Sequence, residues 1–268
     1  MIYCVTAVLV KALRQRTGVG IMECKRALLE ENGNLELAVD NLRKNGLTRA
    51  LEKRSKIASQ GSIFVYVNNN IGAILEVNCE TDFVARSIDF LKFGKEIIRT
   101  AVLKKISNLD ILKNTFESLR LNLIAKVAEN IIIRRFKLIA GRNKIGSYVH
   151  VSRIGVLLNS NLNDLDLVKK IAMHIAASKP EYISIEDIPN DVLDREKKIQ
   201  LDLVKKSKKS LIITQKIVNG KMSKFMSEIS LLEQDFILDT KIKVKDFLNQ
   251  HSGRVESFVR FELGDSIK

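Results

Sequence analysis

The segment Thr81–Val84 is the part of the chain whose residue types folding alone explains least. It places an acid, Asp82, directly beside a large aromatic residue, Phe83. A short polar oxygen at Thr81 or Asp82 can cap a following helix by accepting a hydrogen bond from a free amide of the first turn. Capping does not require Phe83. A turn between a strand and a helix is a rigid place from which to present a residue to a partner, so the segment predicts a contact site.

The other reactive side chains do not form a recognisable catalytic or metal-binding set. The histidines and the cysteines are scattered without metal-ligand spacing, and they are His150, His174, His251, Cys4, Cys24 and Cys79. His174 lies in an apolar helical context, which favours packing over catalysis. The chain contains neither a phosphate-binding glycine motif nor a nucleophile elbow. By elimination, the sequence predicts a binding protein and not an enzyme, with no catalytic residue, no metal and no cofactor.

The contact turn is predicted to lie between a strand and a long helix. Residues Ile71–Val77 cluster apolar side chains as a strand does, after the Asn68–Asn70 turn. Apolar residues then recur at helical spacing from Val84 to Leu103. The pattern leaves two orientations open for Phe83: outward toward a partner, or back into the core beside Phe90.

Residues 1–54 are predicted to form a small helical docking module. Helices are expected at Thr6–Arg16, Met22–Glu31 and Leu35–Lys44, and the third should end at Asn45-Gly46. A charged helical linker is expected over Thr48–Ser59. Such a module is close to the smallest size that folds alone.

The remainder is predicted to be an α+β core of two related halves, 55–140 and 141–184 with 226–268. A hairpin, helices and a third strand are expected in the first half, at Ser62–Val67, Ile71–Val77, Leu109–Glu129 and Ile131–Ala140. The second half should repeat this scheme with Ser147–Val151, Ile154–Leu158, Leu165–Ser178, Lys243–Gln250 and Val255–Leu263. Residues 185–225 predict an inserted antiparallel helical hairpin with a polar tip at Lys205–Ser210.

Composition restricts the protein class only moderately. Apolar residues make up 46% of the 268 residues, which is enough for a core, and the formal net charge is +14. The lysines are spread along the chain together with abundant Ile and Asn, so the charge is weak support for nucleic-acid binding. An odd number of cysteines without paired spacing is typical of a protein in a reducing compartment. Because there is no apolar run of about 20 residues and no signal-peptide pattern, we predict a cytoplasmic protein without membrane contact.

Two segments together resemble the signature stretches of the bacterial elongation factor Ts family. They are Leu13–Leu28, with the sequence LRQRTGVGIMECKRAL, and Val77–Ala85, with the sequence VNCETDFVA. The match continues in order through Glu129–Arg135, Gly146–His150, Ile171–Ala177 and Val259–Glu262. Because these segments extend over nearly the whole chain, the resemblance is far more specific than any single motif.

The resemblance implies both a fold and a function. The fold would combine a ubiquitin-associated-like N-terminal module, a core of two α+β halves and an inserted helical hairpin. The function would be guanine-nucleotide exchange on elongation factor Tu, in its GDP-bound and nucleotide-free states. The factor would bind the GDP complex, dislodge Mg²⁺ and promote GDP release so that GTP can bind. The factor itself would bind no nucleotide, and nucleic acid is not an expected partner.

The resemblance also assigns roles to individual residues. The turn of Thr81, Asp82, Phe83 and Val84 would push between two helices of the partner and dislodge its magnesium ion. Contacts with the partner would come from five further residues, which are Arg14, Ile21, Met22, Lys25 and His150.

This chain departs from the family pattern at several positions. Ile21 replaces a frequent Met, Val149 a common Gln, and Asp235 the usual Pro. We therefore expect the loop Leu231–Leu238 to differ in conformation. The sequence ends at Lys268, and we expect no contacts from the C-terminal helical module of longer members.

Two other function classes remain open from the sequence. A basic RNA- or ribosome-binding protein would use the charge and the polar tip, with steep salt dependence and no effect on nucleotide exchange. A structural adaptor would bind a GTPase through the helical module without changing GDP release.

Overall fold

The structure is a computed structural model that describes residues 5–53, 56–205 and 211–265, with side chains for all of these except 46–53, 205 and 211. It mixes helices with antiparallel sheets, as predicted for an α+β protein. Residues 206–210 of the predicted polar tip lie outside the described residues.

Three helices form the N-terminal part: α1 (Ala7–Thr17), α2 (Ile21–Glu30) and α3 (Leu35–Lys53). The side-chain oxygen of Thr6 accepts a hydrogen bond from the amide of Leu9 and caps α1. The three helices surround a small core of their own, which contains Leu13, Val19, Cys24, Ala27, Leu28, Ala38 and Leu42.

The predicted end of the third helix at Asn45-Gly46 is wrong, because α3 continues through Gly46 to Lys53. The first half of the predicted linker, residues 48–53, is therefore a continuation of this helix. An interior glycine costs about 1 kcal/mol relative to alanine. The contact of α3 with a later helix, α6 (Leu109–Val127), offers tertiary packing that outweighs such a local cost.

The first half of the core consists of strands β1 (Gln60–Asn68) and β2 (Ile71–Cys79), helices α4 (Asp82–Ala85), α5 (Ile88–Leu103) and α6 (Leu109–Val127), and strand β3 (Ile132–Ala140). The strands form an antiparallel sheet in the order β1-β2-β3. Apolar side chains of α5 and α6 cover one face of it and enclose Phe90, Ile97, Leu112 and Ile124.

The long helix predicted from Val84 is interrupted, because α4 and α5 are separate helices. Arg86 ends α4, and Ser87 takes an extended conformation with ψ of 147°. The hydroxyl of Ser87 then accepts a hydrogen bond from the amide of Phe90 at 3.4 Å and starts α5. The apolar spacing continues across the break, which is why periodicity alone did not reveal it.

After β3 the chain forms β4 (Ile145–His150), β5 (Ile154–Ser160), α7 (Leu165–Ser178), α8 (Asn190–Lys205), α9 (Leu211–Ile229), β6 (Asp235–Phe236), β7 (Asp239–Lys243), α10 (Val244–Gln250) and β8 (Val255–Glu262). The second sheet has the order β4-β5-β8, so the final strand completes it as predicted. The sequence did not predict β6 and β7. Asp235, at the position where the resemblance implies a proline, pairs there with Lys243.

The two sheets pack on each other through a small apolar layer of Ile63, Ile74, Ile145 and Leu157. A buried charge network adjoins this layer. The fully buried carboxylate of Glu76 accepts hydrogen bonds from Arg134, at 2.7 Å, and from Arg135. The guanidinium of Arg135 lies 4.3 Å from the ring centroid of Phe261 on β8. The network therefore joins the first sheet to the last strand of the second.

Candidate functional site

The turn between β2 and α4 is followed by α4, which begins at Asp82, and two interactions within this segment are local. The hydroxyl of Thr81 caps the helix by accepting from the amide of Val84 at 3.4 Å. Asp82 is the first helical residue, and its carboxylate lies 3.1 Å from the guanidinium of Arg86. An acid at this position also interacts favourably with the positive end of the helix.

Phe83 extends into solvent from this turn, with 82% of its surface exposed. The inward orientation beside Phe90 is therefore excluded, since Phe90 is fully buried in the core of the first half. Val84 packs against that core and Ala85 is buried in it. The helix is thus anchored by one face while its aromatic residue is left free to contact a partner.

A second segment, just before β3, holds the turn from the side. One carboxylate oxygen of Glu129 accepts from the amides of Glu80 at 3.1 Å and Thr81 at 3.0 Å, and the other accepts from the Thr81 hydroxyl at 2.6 Å. In return, the carboxylate of Glu80 accepts from the amide of Asn130 at 2.8 Å. Two reciprocal carboxylate contacts therefore connect segments about fifty residues apart in sequence.

Cys79 supports the turn as a neutral thiol. Its sulfur donates to the carbonyl of Thr81 at 3.1 Å. Burial, with a smaller contribution from the charge of Glu129, raises the pKa of Cys79 to about 12. The thiol therefore stays protonated at neutral pH and acts as a hydrogen-bond donor, since only the thiolate would be a nucleophile.

Four of the predicted contact residues lie at one end of the N-terminal helices. Arg14 lies in the last turn of α1, whereas Ile21, Met22 and Lys25 lie in the first turns of α2, and all four are exposed. The intervening Gly18 has φ of 71°, a left-handed conformation that glycine adopts without strain. This close turn brings the end of α1 and the start of α2 together.

Lys126, near the end of α6, brings this end of the helices close to the turn that carries Phe83. A Cβ added at Gly18 would lie 2.6 Å from Cε of Lys126, so the two are in contact. The ammonium group of Lys126 also lies 2.7 Å from the carboxylate of Asp89, in the first turn of α5. Lys126 and Glu129 thus contact both predicted contact regions from one helix end.

His150 is the last residue of β4 and is exposed. The hydroxyl of Tyr148 lies 3.1 Å from its Nδ1. The adjoining Val149 lines a groove with Leu91 and Lys95 of α5. The helix that follows the Phe83 turn therefore also lies beside the strand end that carries His150.

The turn after His150 is strained. Val151 and Ser152 have φ of 48° and 57°, and the amide of Arg153 donates to the carbonyl of His150 at 2.9 Å. Asn and Gly are the usual residues in such a turn, and a β-branched residue is rarely found there. The amide of Ile63 on β1 donates to the carbonyl of Ser152 at 2.7 Å and holds this conformation.

The sequence interpretation identified the exposed residues but missed those that hold them. It did not assign Glu80, Lys126 or Glu129 any role. The available signal was that Glu129 begins one of the segments matching the family. The predicted packing of His174 is confirmed, because it is fully buried.

In the described part of the chain, no three His, Cys, Asp or Glu side chains are grouped as a metal site would require. A search of the same residues found no helix that is both long and apolar enough to cross a membrane.

Comparison with known proteins identifies the family. The family described as Elongation factor TS matches residues 80–265. Elongation factor Ts of Photorhabdus laumondii is 48% identical over 266 residues, covering 98% of this chain and 94% of that protein. Elongation factor Ts proteins of Yersinia pestis and Yersinia pseudotuberculosis are 48% identical, with 98% of this chain and 93% of theirs covered. The chain therefore belongs to the elongation factor Ts family.

Proposed function

We propose that this protein is the guanine-nucleotide exchange factor of elongation factor Tu in translation elongation. It binds the GDP complex, promotes GDP release and leaves a nucleotide-free partner that GTP can enter. The protein catalyses no covalent reaction, because its task is to weaken contacts between a partner and its ligand. The observation that carries the proposal is the exposed Phe83 on an anchored turn, in a chain of this family.

Phe83, with Thr81, Asp82 and Val84, acts as a wedge that enters between two helices of the partner. Its ring supplies apolar area that gains free energy when it enters an apolar space between two helices of the partner. Mg²⁺ requires nearly ideal octahedral geometry. A small displacement of the segments that carry its ligands therefore releases the ion, and with it much of the hold on GDP.

The N-terminal helices provide affinity through Arg14, Ile21, Met22 and Lys25. Two cationic side chains and two exposed apolar ones, one of them the flexible Met22, suit a mixed polar and apolar patch. His150 adds a contact from the core. We also propose that the helices are ubiquitin-associated-like, as in the family, and that α8 and α9 form an inserted antiparallel arm reaching outward from the second half.

Linkage sets the energetic demand on such a factor. If the factor weakens GDP binding, GDP must weaken binding of the factor by the same ratio. Moving a two-state equilibrium from about 1:99 to 99:1 requires on the order of 5 kcal/mol of differential affinity. A wedge and a separate docking patch can share that requirement between them.

The decisive experiment measures release of fluorescent GDP from elongation factor Tu with and without this protein. We expect acceleration that saturates with factor concentration. Binding without acceleration would indicate the structural adaptor. An unchanged rate of GDP release, together with RNA affinity that falls steeply with salt, would indicate the RNA-binding alternative.

The N-terminal patch should affect affinity more than release. Met22→Ala is expected to raise the half-saturating factor concentration several-fold, consistent with about 1–2 kcal/mol for an interface side chain, with the maximal release rate preserved. Leu37→Ala, which truncates an exposed leucine on α3, is the matched control. A lower maximal rate at unchanged half-saturation would contradict this division.

A further inference from the structure

We propose that Glu129 is a positioning residue for nucleotide release, which fixes the β2–α4 turn so that Phe83 can displace the partner's segments. This inference rests on the proposed exchange function. A wedge must resist being pushed back when it enters its partner. Phe83 itself is almost free of contacts with its own chain, so the resistance must come from the backbone that carries it.

Glu129 is the group that restrains this backbone from outside the turn. Its carboxylate accepts three hydrogen bonds, from the amides of Glu80 and Thr81 and from the Thr81 hydroxyl, at 3.1, 3.0 and 2.6 Å. Hydrogen bonds to a charged acceptor are stronger than those between neutral groups. Thr81 is also the N-cap of α4, so one carboxylate restrains the residue immediately before the helix that carries Phe83.

Glu129 and its three hydrogen bonds form a clamp on the turn, and the residues on either side of Glu129 are themselves fixed in place. Ala128, which precedes Glu129, has φ of 58° and ends α6 with its amide donating to the carbonyl of Ile124 at 2.8 Å. Asn130 is buried, and its side-chain amide donates to the carbonyl of Lys56 at 2.9 Å. A left-handed conformation costs free energy in a residue other than glycine, and Ala128 adopts it where α6 ends. Glu129, the next residue, then bonds to the turn.

The local bonds of the turn do not replace this clamp. The Thr81 cap on Val84 is long, at 3.4 Å, and the ion pair of Asp82 with Arg86 is exposed and lies within the same short helix. Both would move with the turn if it rotated as a unit. Glu129 and the reciprocal bond from Asn130 to Glu80 connect the turn to the α6–β3 junction instead.

The test titrates variants against elongation factor Tu loaded with fluorescent GDP. The maximal release rate and the half-saturating concentration are measured separately. Glu129→Ala should lower the maximal rate about tenfold, in line with loss of hydrogen bonds to a charged acceptor. Half-saturation should change less than about threefold, because the N-terminal patch is untouched. Glu96→Ala, which removes an exposed glutamate on α5, should match the wild type.

A double-mutant cycle distinguishes positioning from general loss of structure. If Glu129 acts through Phe83, Glu129→Ala should have little further effect on the maximal rate in a Phe83→Ala background. Reductions that multiply would overturn the proposal. Glu129→Gln is the conservative variant, since its amide oxygen can still accept from both backbone amides and its nitrogen can donate to Thr81. We expect it to retain most of the rate.

The outcomes separate this inference from the function on which it rests. A wild-type protein that does not accelerate release overturns both. An active wild type with an unaffected Glu129→Ala overturns only the positioning role. If Glu129→Ala melts below the assay temperature, Glu129→Gln and its cycle with Phe83→Ala decide the matter. In that case a Glu129→Gln rate close to that of the wild type supports the clamp, because the hydrogen bonds are kept. A rate as low as that of Phe83→Ala, with wild-type melting, overturns it.

Discussion

The two halves of the core use the same strand-to-helix turn in opposite ways. In each half a hairpin leads to a turn and a helix, and a third strand pairs with the second strand of the hairpin. The first turn exposes Phe83, at 82%, whereas the second buries Leu162, at 6%, in the core beside α7. A common framework therefore carries a contact residue at one turn and a core residue at the other.

The two turns are also held by corresponding segments. Glu129 and Asn130, just before β3, bond the first turn. Just before β8, the amide of Arg254 donates to the side-chain oxygen of Asn161 at 2.5 Å, and the amide of Asn161 donates back to the carbonyl of Arg254 at 3.1 Å. Each turn is therefore bonded to the segment before the third strand of its half, through the carboxylate of Glu129 in the first half and through Asn161 in the second. The turns differ in which segment supplies the accepting side chain and in the exposure of the apolar residue.

The largest expected effect is on stability in the second turn. Leu162→Ala should lower the free energy of unfolding by about 2–5 kcal/mol, because it removes buried methyl groups and leaves a cavity. Phe83→Ala should change it by no more than about 0.5 kcal/mol, as is usual for exposed residues. Urea denaturation of both variants measures this directly. Equal losses would mean that the turns do not differ as described.

The next effect is on exchange, and here the order of the two variants reverses. Phe83→Ala should reduce maximal GDP release on the order of tenfold to a hundredfold, which corresponds to about 1.5–3 kcal/mol for the burial of one large side chain. Leu162→Ala, assayed where it remains folded, should release GDP as the wild type does. Unchanged release and unchanged melting for Phe83→Ala would exclude the wedge.

Much of this architecture was predictable, because local patterns specify single elements well. The Asn68–Asn70 turn and alternating residues predicted the first hairpin, and Leu165–Ser178 was predicted with the helix bounds that the structure has. The errors arose where distant packing or a single cap decided the outcome. Gly46 lies within α3, which packs on α6, and Ser87 restarts a helix inside a continuous apolar pattern.

Like the fold, the candidate site depends partly on local sequence and partly on contacts between residues distant in sequence. The residue types around Phe83 indicated a contact, but they did not decide whether its ring turned outward or packed beside Phe90. In the structure the ring beside Phe90 is that of Phe64, with centroids 6.1 Å apart. The partners of Glu129 lie 48 and 49 residues away. No periodicity or motif connects such positions, so the clamp became visible only in three dimensions.

A smaller effect is expected from the two helix caps. Asp164 caps α7 by accepting from the amide of Asp166 at 2.8 Å, and Thr81 caps α4 at 3.4 Å. Asp164→Ala should cost about 1 kcal/mol of stability with exchange unchanged. Thr81→Ala removes a long cap of a short helix together with the 2.6 Å bond from the Thr81 hydroxyl to Glu129, so it should slow release. Exchange that is equally sensitive to both caps would contradict the functional difference between the turns.

The smallest expected difference is a pH dependence confined to the second half, because residues 55–140 contain no histidine. His174 is buried there, donates from Nε2 to the side-chain oxygen of Gln234 at 2.9 Å and accepts at Nδ1 from the amide of Ile237 at 3.2 Å. Burial lowers its pKa below the ordinary value of 6.5. As pH falls below 6.5 the unfolded chain binds the proton first, so the stability contributed by neutral His174 is complete above that pH and is lost as pH falls through the folded pKa.

Melting curves at pH 8 and pH 5.5 should therefore show a loss of stability that His174→Gln reduces. Among the described residues, three carboxylates have lowered pKa values, namely Glu36, Glu233 and Glu262, and their contribution is lost only as the pH falls from the ordinary carboxylate pKa downward. The loss of stability between pH 8 and pH 5.5 is therefore expected to come from protonation of histidine. His150→Gln, which changes an exposed histidine, should retain the full wild-type pH response. If His150→Gln removed the response and His174→Gln did not, burial of His174 in the second half would not be its cause.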